Sequence, residues 1–296
     1  MSTDAVVIWG ELLWDRFPAE RGGTRLGGAP ANVAWHLAQA GGWAQLVTRV
    51  GDDDDGRRAV ALLDELVDTS LIQVDPERAT GEVTVELEGS EPRYTLHAGR
   101  AWERIACTAA VIEAIRDAGV FVYGTLSQRT ADGLAEWRRA VAAAHVRALK
   151  VYDANLRPND RATHAVAEAL DHADLIKLND REVGQLRALL GWADPVATLR
   201  ARRPRIVVVT HGAQGSTIHP LDGPAIEIPG VHAAAGGDNV GCGDAYLALL
   251  VFGMTSGWDL AASGRVASRW AAAVAEVRGA TPRFDDDRIA DLLEAA

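Results

Sequence analysis

Short apolar runs and longer segments of mixed polarity alternate along most of the chain. Ala5–Trp9, 44–50, 120–123, 149–152, 175–178 and 206–209 are runs of strand type and length. Helical spacing fills 30–41, 56–66, 108–118, 131–145, 161–169, 181–190, 244–254, 260–277 and the segment from 287. In the first of these, Val33, Leu37 and Ala40 share one face. A repeated strand-then-helix order predicts an α/β fold, a central mostly parallel sheet flanked by helices on both faces. One stretch breaks the rhythm. Val83, Val85 and Leu87 alternate with Glu82, Thr84, Glu86 and Glu88, and Gly89-Ser90-Glu91-Pro92 turns the chain into 93–97, a hairpin of period two. Such a hairpin has to bury its apolar face: as a lid over a cleft, against a second subunit in a homodimer, or on the edge of the main sheet. No repeat, low-complexity tract or flexible linker divides the sequence, so residues 1–296 are expected to form one compact unit.

In parallel sheets ligands bind beyond the carboxyl ends of the strands. Polar groups collect at those ends here: Asp153 to Pro158, Asn179 to Glu182, and Thr210 to Ser216. Taken singly, Asp153 and Asn179 are equally suited to capping the next helix. Two glycine turns also enter helices. Gly27 and Gly28 precede Pro30, whose ring sets φ for a first helical turn, and Asn32 in that turn carries both a donor and an acceptor for a sugar hydroxyl or for the local backbone. Gly241, Cys242 and Gly243 lead into the apolar segment 247–252. The first amides of a helix have no internal partner and can converge on an anion. Asp244 stands at that entrance, where a carboxylate repels phosphate. It suits a base that takes a proton from an attacking hydroxyl while the amides hold phosphoryl charge, or else a helix-start acid that favours the macrodipole.

Composition narrows the function classes. The formal net charge of -11 leaves no broad cationic face for nucleic acid. No run approaches a membrane span and the N-terminus lacks a secretory pattern, so the cytoplasm is the expected location. The two cysteines, Cys107 and Cys242, have neither metal-ligand spacing nor a disulfide framework, and none of the eight histidines is paired for a metal; His36 is expected to be structural. Lysine occurs only at Lys150 and Lys177, so the phosphate loop Gly-x-x-x-x-Gly-Lys-Ser/Thr is missing. No Gly-x-Gly-x-x-Gly follows the first strand, which argues against an NAD-binding oxidoreductase. The acidic runs 52–55 and 285–287 read as solvated turns or helix starts, and Trp14 and Trp102 flank the expected lid as candidate walls of a sugar pocket.

Leu26-Gly27-Gly28-Ala29-Pro30-Ala31-Asn32-Val33-Ala34, paired with Asp238-Asn239-Val240-Gly241-Cys242-Gly243-Asp244-Ala245-Tyr246, resembles the two signatures of the ribokinase-like (PfkB) carbohydrate kinases. Asp153 to Pro158, Asn179 to Glu182 and Thr210 to Ser216 resemble that family's intermediate motifs, in the same order, so the likeness runs through nearly the whole chain. Gly10 to Asp15, Gly-Gly-Ala-Pro-Ala-Asn and Ala101 to Ile105 look most like the bacterial fructokinase branch, although Glu103 stands where that branch shows Asp; Cys242 and Val240 replace the usual Ala and Thr. The resemblance implies a β lid from about 11–26 and 81–101 and an ATP-dependent phosphotransfer to a primary sugar hydroxyl. By residue matching it implies Asp244 as base with the amides of Gly241, Cys242 and Gly243 as anion hole, and Asp15, Gly27, Gly28, Asn32 and Arg157 as the substrate site. It further implies Asn179, Glu182, Thr210, Gly212 and Gly215 around ATP, with Glu182 acting on Mg²⁺ through water. Asp238 and Val240 would contribute to a monovalent-cation site for K⁺. A 2-keto-3-deoxygluconate kinase or ribokinase of the same family, and a non-catalytic sugar or nucleotide sensor on the same fold, are the competing readings; the intact Asp244 argues against the sensor, since binding alone gains nothing from a base.

Overall fold

The computed structural model describes residues 5–18, 23–88, 91–157, 163–202 and 205–294. Pro158, the expected helix start at Arg161, the hairpin turn at Gly89 and Ser90, and residues 19–22 of the expected lid lie outside them. The chain runs β1 (Ala5–Trp9), β2 (Leu13–Arg16), β3 (Thr24–Gly27), α1 (Ala29–Gln39), β4 (Trp43–Gly51), α2 (Asp54–Leu63), β5 (Ile72–Asp75), β6 (Gly81–Glu88), β7 (Glu91–Leu96), α3 (Ala109–Asp117), β8 (Val120–Gly124), α4 (Ala131–Ala143) and β9 (Leu149–Asp153). It continues through α5 (Thr163–His172), β10 (Leu175–Asn179), α6 (Asp180–Leu190), α7 (Pro195–Arg202), β11 (Ile206–Thr210), β12 (Gly215–His219), β13 (Ile226–Pro229), α8 (Cys242–Thr255), α9 (Leu260–Ala275) and α10 (Asp286–Leu293).

Strands that are apolar on both faces need cover on both. Along β1, Val6 and Ile8 pack toward α1, α8 and α9, while Val7 and Trp9 pack toward α3 to α7, and the other central strands divide their residues in the same way. The result is a nine-stranded sheet in the order β13-β12-β11-β10-β9-β8-β1-β4-β5 between two helical layers. It is parallel from β5 to β11 and antiparallel only at β12 and β13. Because β1 lies between β4 and β8, the chain moves outward from it in both directions, and the order reverses at that point. Such a reversal opens a crevice at the carboxyl ends of the strands.

The hairpin β6–β7 does not join this sheet. Its β6 pairs with β2, which in turn pairs with β3, in a separate four-stranded sheet, β3-β2-β6-β7, in which Val83 packs with Leu13, Phe17 and Leu96. Trp14, 1% exposed, faces the other way into the main core, where its indole N–H donates to the Asp55 carbonyl; Trp102 is 3% exposed. Both anchor the smaller sheet and neither is free to wall a sugar pocket. The acidic runs open helices: Asp53 caps α2 and Asp285 caps α10. No helix among the described residues is long and apolar enough to cross a membrane.

Candidate active site

Helix α8 is apolar almost all round, and residues 245–251 are buried against α1 and α9, so a charge can sit only at its ends. Its first turn carries Asp244. Its N-cap is Gly241, with no capping side chain and a left-handed φ of 79°; a Cβ there would lie 2.6 Å from the Ala280 backbone, so glycine is required. The first rung of the helix is Ala245 N–H to Gly241 O at 2.8 Å. The amides of Cys242, Gly243 and Asp244 come before that rung and have no helical carbonyl to bond; the run of free amides thus sits one residue later than expected, because Gly241 is the N-cap.

The other glycine turn ends beside this one. Helix α1 is also capped by a glycine in the positive-φ region, Gly28 at 105°, where a Cβ would collide with the Glu11 carbonyl. From its first turn, Asn32 Nδ2 donates to Asp244 Oδ2 at 2.7 Å, joining residues 212 positions apart. The Asn32 Oδ1 atom is buried with no hydrogen-bond partner among the described residues.

Beneath the turn lies a residue that motif spacing does not disclose. Lys177 and Asp153 are register partners on β10 and β9, so their side chains emerge on the same face, toward α8. Lys177 Nζ donates to Asp153 Oδ1 at 2.9 Å, both side chains being about 5% exposed, and a Cβ on Gly243 would lie 3.1 Å from that nitrogen. Burial alone would discharge the lysine, but the charges of Asp153, Glu182 and Asp244 outweigh it and hold the ammonium protonated. The sequence signal was present: an ammonium inside the apolar run Leu175-Ile176-Lys177-Leu178 must find an anion or leave the core.

Asp244 itself is pushed up to about 7, first by burial and then by the charge of Asp153; Lys177, the Asn32 hydrogen bond and Arg157 pull it partly back. A base that ionises near neutrality is matched to proton abstraction. The neighbouring thiol is not a competitor, since burial and the two flanking aspartates push Cys242 up to about 12.

On one side of this centre stand the expected sugar residues. Asp15 on β2 lies over Gly27, where a Cβ would come within 2.4 Å of its carboxylate, and burial raises it to about 6 against the pull of Arg157 and Arg25. Arg157 is exposed and lines, with Glu11, Thr125, Asp153 and Asn155, a cleft between the ends of β1, β8 and β9 and the start of α1. Glu11, absent from the expected site, is 3% exposed and is raised to about 7 by burial. On the other side, Asn179 and Glu182 form a reciprocal capping box at α6, and Glu182 also accepts from Leu156 N–H at 3.1 Å. Thr210 is the register partner of Asn179; Gly212 is exposed in the turn after β11, and Gly215 is buried at the start of β12. None of these three has a described hydrogen bond to the centre.

The two expected metal ions fare differently. Among the described residues no three His, Cys, Asp or Glu side chains come together as a metal site. Mg²⁺, however, commonly keeps its waters and takes one or two carboxylates plus substrate phosphates. Asp153 Oδ2 is buried without a partner, and three carboxylates, Asp153, Glu182 and Asp244, share one lysine, so this donor set fits Mg²⁺. The Asp238 carboxylate would offer a monovalent ion two oxygens that protein donors already engage. Its Oδ1 accepts from Val240 and Gly279 N–H, at 3.1 and 3.2 Å, and its Oδ2 from Gly279 N–H at 3.3 Å and Arg25 Nη1 at 2.9 Å.

His36, behind the site, accepts the Trp270 indole N–H on Nδ1 and so donates Nε2–H to the Ala280 carbonyl; burial lowers it to about 4, and it stays neutral. It fixes the loop against which Gly241 packs.

The family model described as pfkB family carbohydrate kinase matches residues 15–287. The chain belongs to this family. This pfkB kinase is 29% identical over 282 residues to fructokinase-1 of Oryza sativa subsp. japonica, covering 84% of this chain and 82% of that protein. Its fold matches that of a fructokinase with bound ATP from Xylella fastidiosa at a TM-score of 0.85, with 24% identity over 99% of this chain and 98% of that one. It matches aminoimidazole riboside kinase from Salmonella enterica, complexed with aminoimidazole riboside and an ATP analog, at a TM-score of 0.79, with 21% identity over 98% and 99%. The architecture of this pfkB kinase is therefore ribokinase-like.

Proposed function

We propose that this pfkB kinase transfers the γ-phosphate of ATP to a primary hydroxyl of a sugar, with D-fructose as substrate and fructose 6-phosphate as product. The observation that carries the reading is the 2.7 Å contact of Asn32 with Asp244 at the mouth of a helix that has no side-chain cap. A carboxylate oriented to act as base and a run of unbonded amides thereby share one place.

In this reading the sugar lies between the smaller sheet, acting as a lid, and the cleft, with Asp15, Asn32 and Arg157 on its hydroxyls and its reactive hydroxyl against Asp244. Ionised Asp244 accepts the hydroxyl proton as the oxygen attacks. The amides of Cys242, Gly243 and Asp244 and the Lys177 ammonium receive the charge of the migrating phosphoryl group, which is electrostatic stabilisation by donors already in position. Asn179, Glu182, Thr210, Gly212 and Gly215 border the nucleotide, and Asp153 and Glu182 would hold Mg²⁺ with its waters, which neutralises charge on the phosphates when bound. The lone acceptor on Asn32 is suited to a sugar hydroxyl donor. Fructose is favoured by the likeness of the Gly10 to Asp15 and Gly27 to Asn32 segments to fructokinases.

The test is ADP release from the purified protein with Mg·ATP and fructose, ribose, 2-keto-3-deoxygluconate, adenosine or aminoimidazole riboside. Fructose is expected to give the highest kcat/KM. A preference for another acceptor removes fructose and keeps the kinase; ATP binding with no acceptor-dependent turnover would favour a sensor.

A further inference from the structure

Asp238 stands three residues before the N-cap of α8 and holds together three parts of the molecule. Its carboxylate accepts from the amide of Val240 in its own turn, from that of Gly279 in the loop after α9, and from Arg25 of β3 in the smaller sheet. The pair Arg25–Asp238 is partly buried, with side chains 17% and 31% exposed, and the arginine is held in place: its guanidinium lies over the Phe17 ring at 4.8 Å, and its Cδ lies 3.3 Å from where a Cβ on Gly279 would be. Arg25 is also the register partner of Asp15 across β2 and β3, so the two side chains leave the same face of that sheet. One guanidinium thus touches the acid under the anion-binding turn and faces the expected sugar-gripping acid.

Three protein donors already make four contacts to the two Asp238 oxygens, and one of them, the Arg25 guanidinium, brings the positive charge that a metal ion would otherwise supply. We propose that Arg25 is a positioning residue that supplies this charge from the smaller sheet, so that the turn 238–243 adopts its anion-binding form when β3 is in place and requires no monovalent metal ion. The inference rests on the kinase reading above for its kinetic consequences but not for its structural ones. Guanidinium and metal ion are alternatives at one carboxylate, which is what makes the idea testable by exchange.

The experiment compares wild type, Arg25→Gln and Arg25→Lys in equal concentrations of potassium, sodium and choline chloride, measuring sugar KM, kcat and the thermal unfolding midpoint. Wild type is expected to show the same kcat and midpoint in all three salts. Arg25→Gln is expected to lose about 10- to 100-fold in kcat in choline, the usual worth of a hydrogen bond to a charged group, with its midpoint lowered, and K⁺ should restore part of both. Arg25→Lys should retain most of the kcat without K⁺. A wild type that needs K⁺, an Arg25→Gln protein that K⁺ does not rescue, or one that changes only sugar KM would each overturn the proposal, the last by making Arg25 part of the sugar grip. If no acceptor supports turnover, the kinase reading fails and the midpoints still decide: a K⁺-dependent rise confined to Arg25→Gln upholds Arg25 as the resident cation, and its absence removes it.

Discussion

Two helices in this molecule begin alike and end up with opposite tasks. Helices α2, α3, α4, α6, α9 and α10 each start with an Asp, Thr or Asn side chain bonded to a first-turn amide. Helices α1 and α8 instead start at a glycine with positive φ and no capping side chain, and these two meet at Asn32 and Asp244. Capping with a side chain is worth about 1 kcal/mol, so leaving it out at two packed helices needs a compensating use. At α1 the second residue is Pro30, which has no N–H to offer; this terminus presents a side chain, Asn32. At α8 the leading amides are all present, and the terminus presents backbone donors with a carboxylate set among them. On the proposed kinase reading, one glycine-to-helix pattern serves as an orienting arm in the first case and as an anion hole with its base in the second.

The largest test of that division is Asp244→Asn. Its fold and ATP affinity should be kept while kcat falls by about 10²- to 10⁴-fold, the range expected for a general base. Wild-type turnover should fall as the pH drops below about 7, because Asp244 must be ionised to act. Stability should move the other way. The folded-state value of Asp244 lies above its unfolded value of 3.8, so its favourable contribution is complete below about pH 4 and is lost as the pH rises toward 7. The asparagine protein should accordingly resist urea better than wild type at pH 8 and equally at pH 4. Unchanged turnover would return Asp244 to the bland role of a helix-start acid.

Much of this division could be read from the residues, because strand-helix alternation puts the residues after each strand on one edge of a sheet, and the motifs at Asp153, Asn179 and Thr210 follow strands. What escaped has physical reasons. β2, β3, β5 and β13 are four-residue strands with half-exposed or mixed side chains, so no alternation marks them, and α7 buries only Pro195 and Leu199. Lys177 belongs to no motif, and only its place in a buried strand signals that it demands a partner. Arg25 and Asp238 are 213 positions apart, and no local pattern could pair them.

Asn32→Ala probes the orienting arm with a smaller effect. It deletes a hydrogen bond to the charged form of Asp244, worth about 1.5–3 kcal/mol, or roughly a 10- to 100-fold loss in kcat/KM. Since that bond also draws the carboxyl downward, the acid limb of the pH profile should move to higher pH. A loss with an unmoved limb would mean that Asn32 serves the sugar and does not orient the base.

Pro30→Ala should do least to catalysis, and for that reason it isolates the contrast. The substitution gives the start of α1 an amide like those of α8 without altering Asn32. If α1 acts through its side chain, the added N–H has no anion to receive, and kcat should stay within about twofold to threefold of wild type. The cost should appear in stability alone. Freeing the unfolded chain at this position costs about 0.4–1 kcal/mol, with a further loss where the ring packs against Gly10, whose Cβ would lie 2.4 Å from Pro30 Cγ. For a chain of this length that is a fall of roughly 1.5–2 °C in melting temperature per kcal/mol. A tenfold change in kcat with an unchanged melting temperature would show that the backbone of α1 also faces the transferred phosphate, and the two helix starts would then share one task.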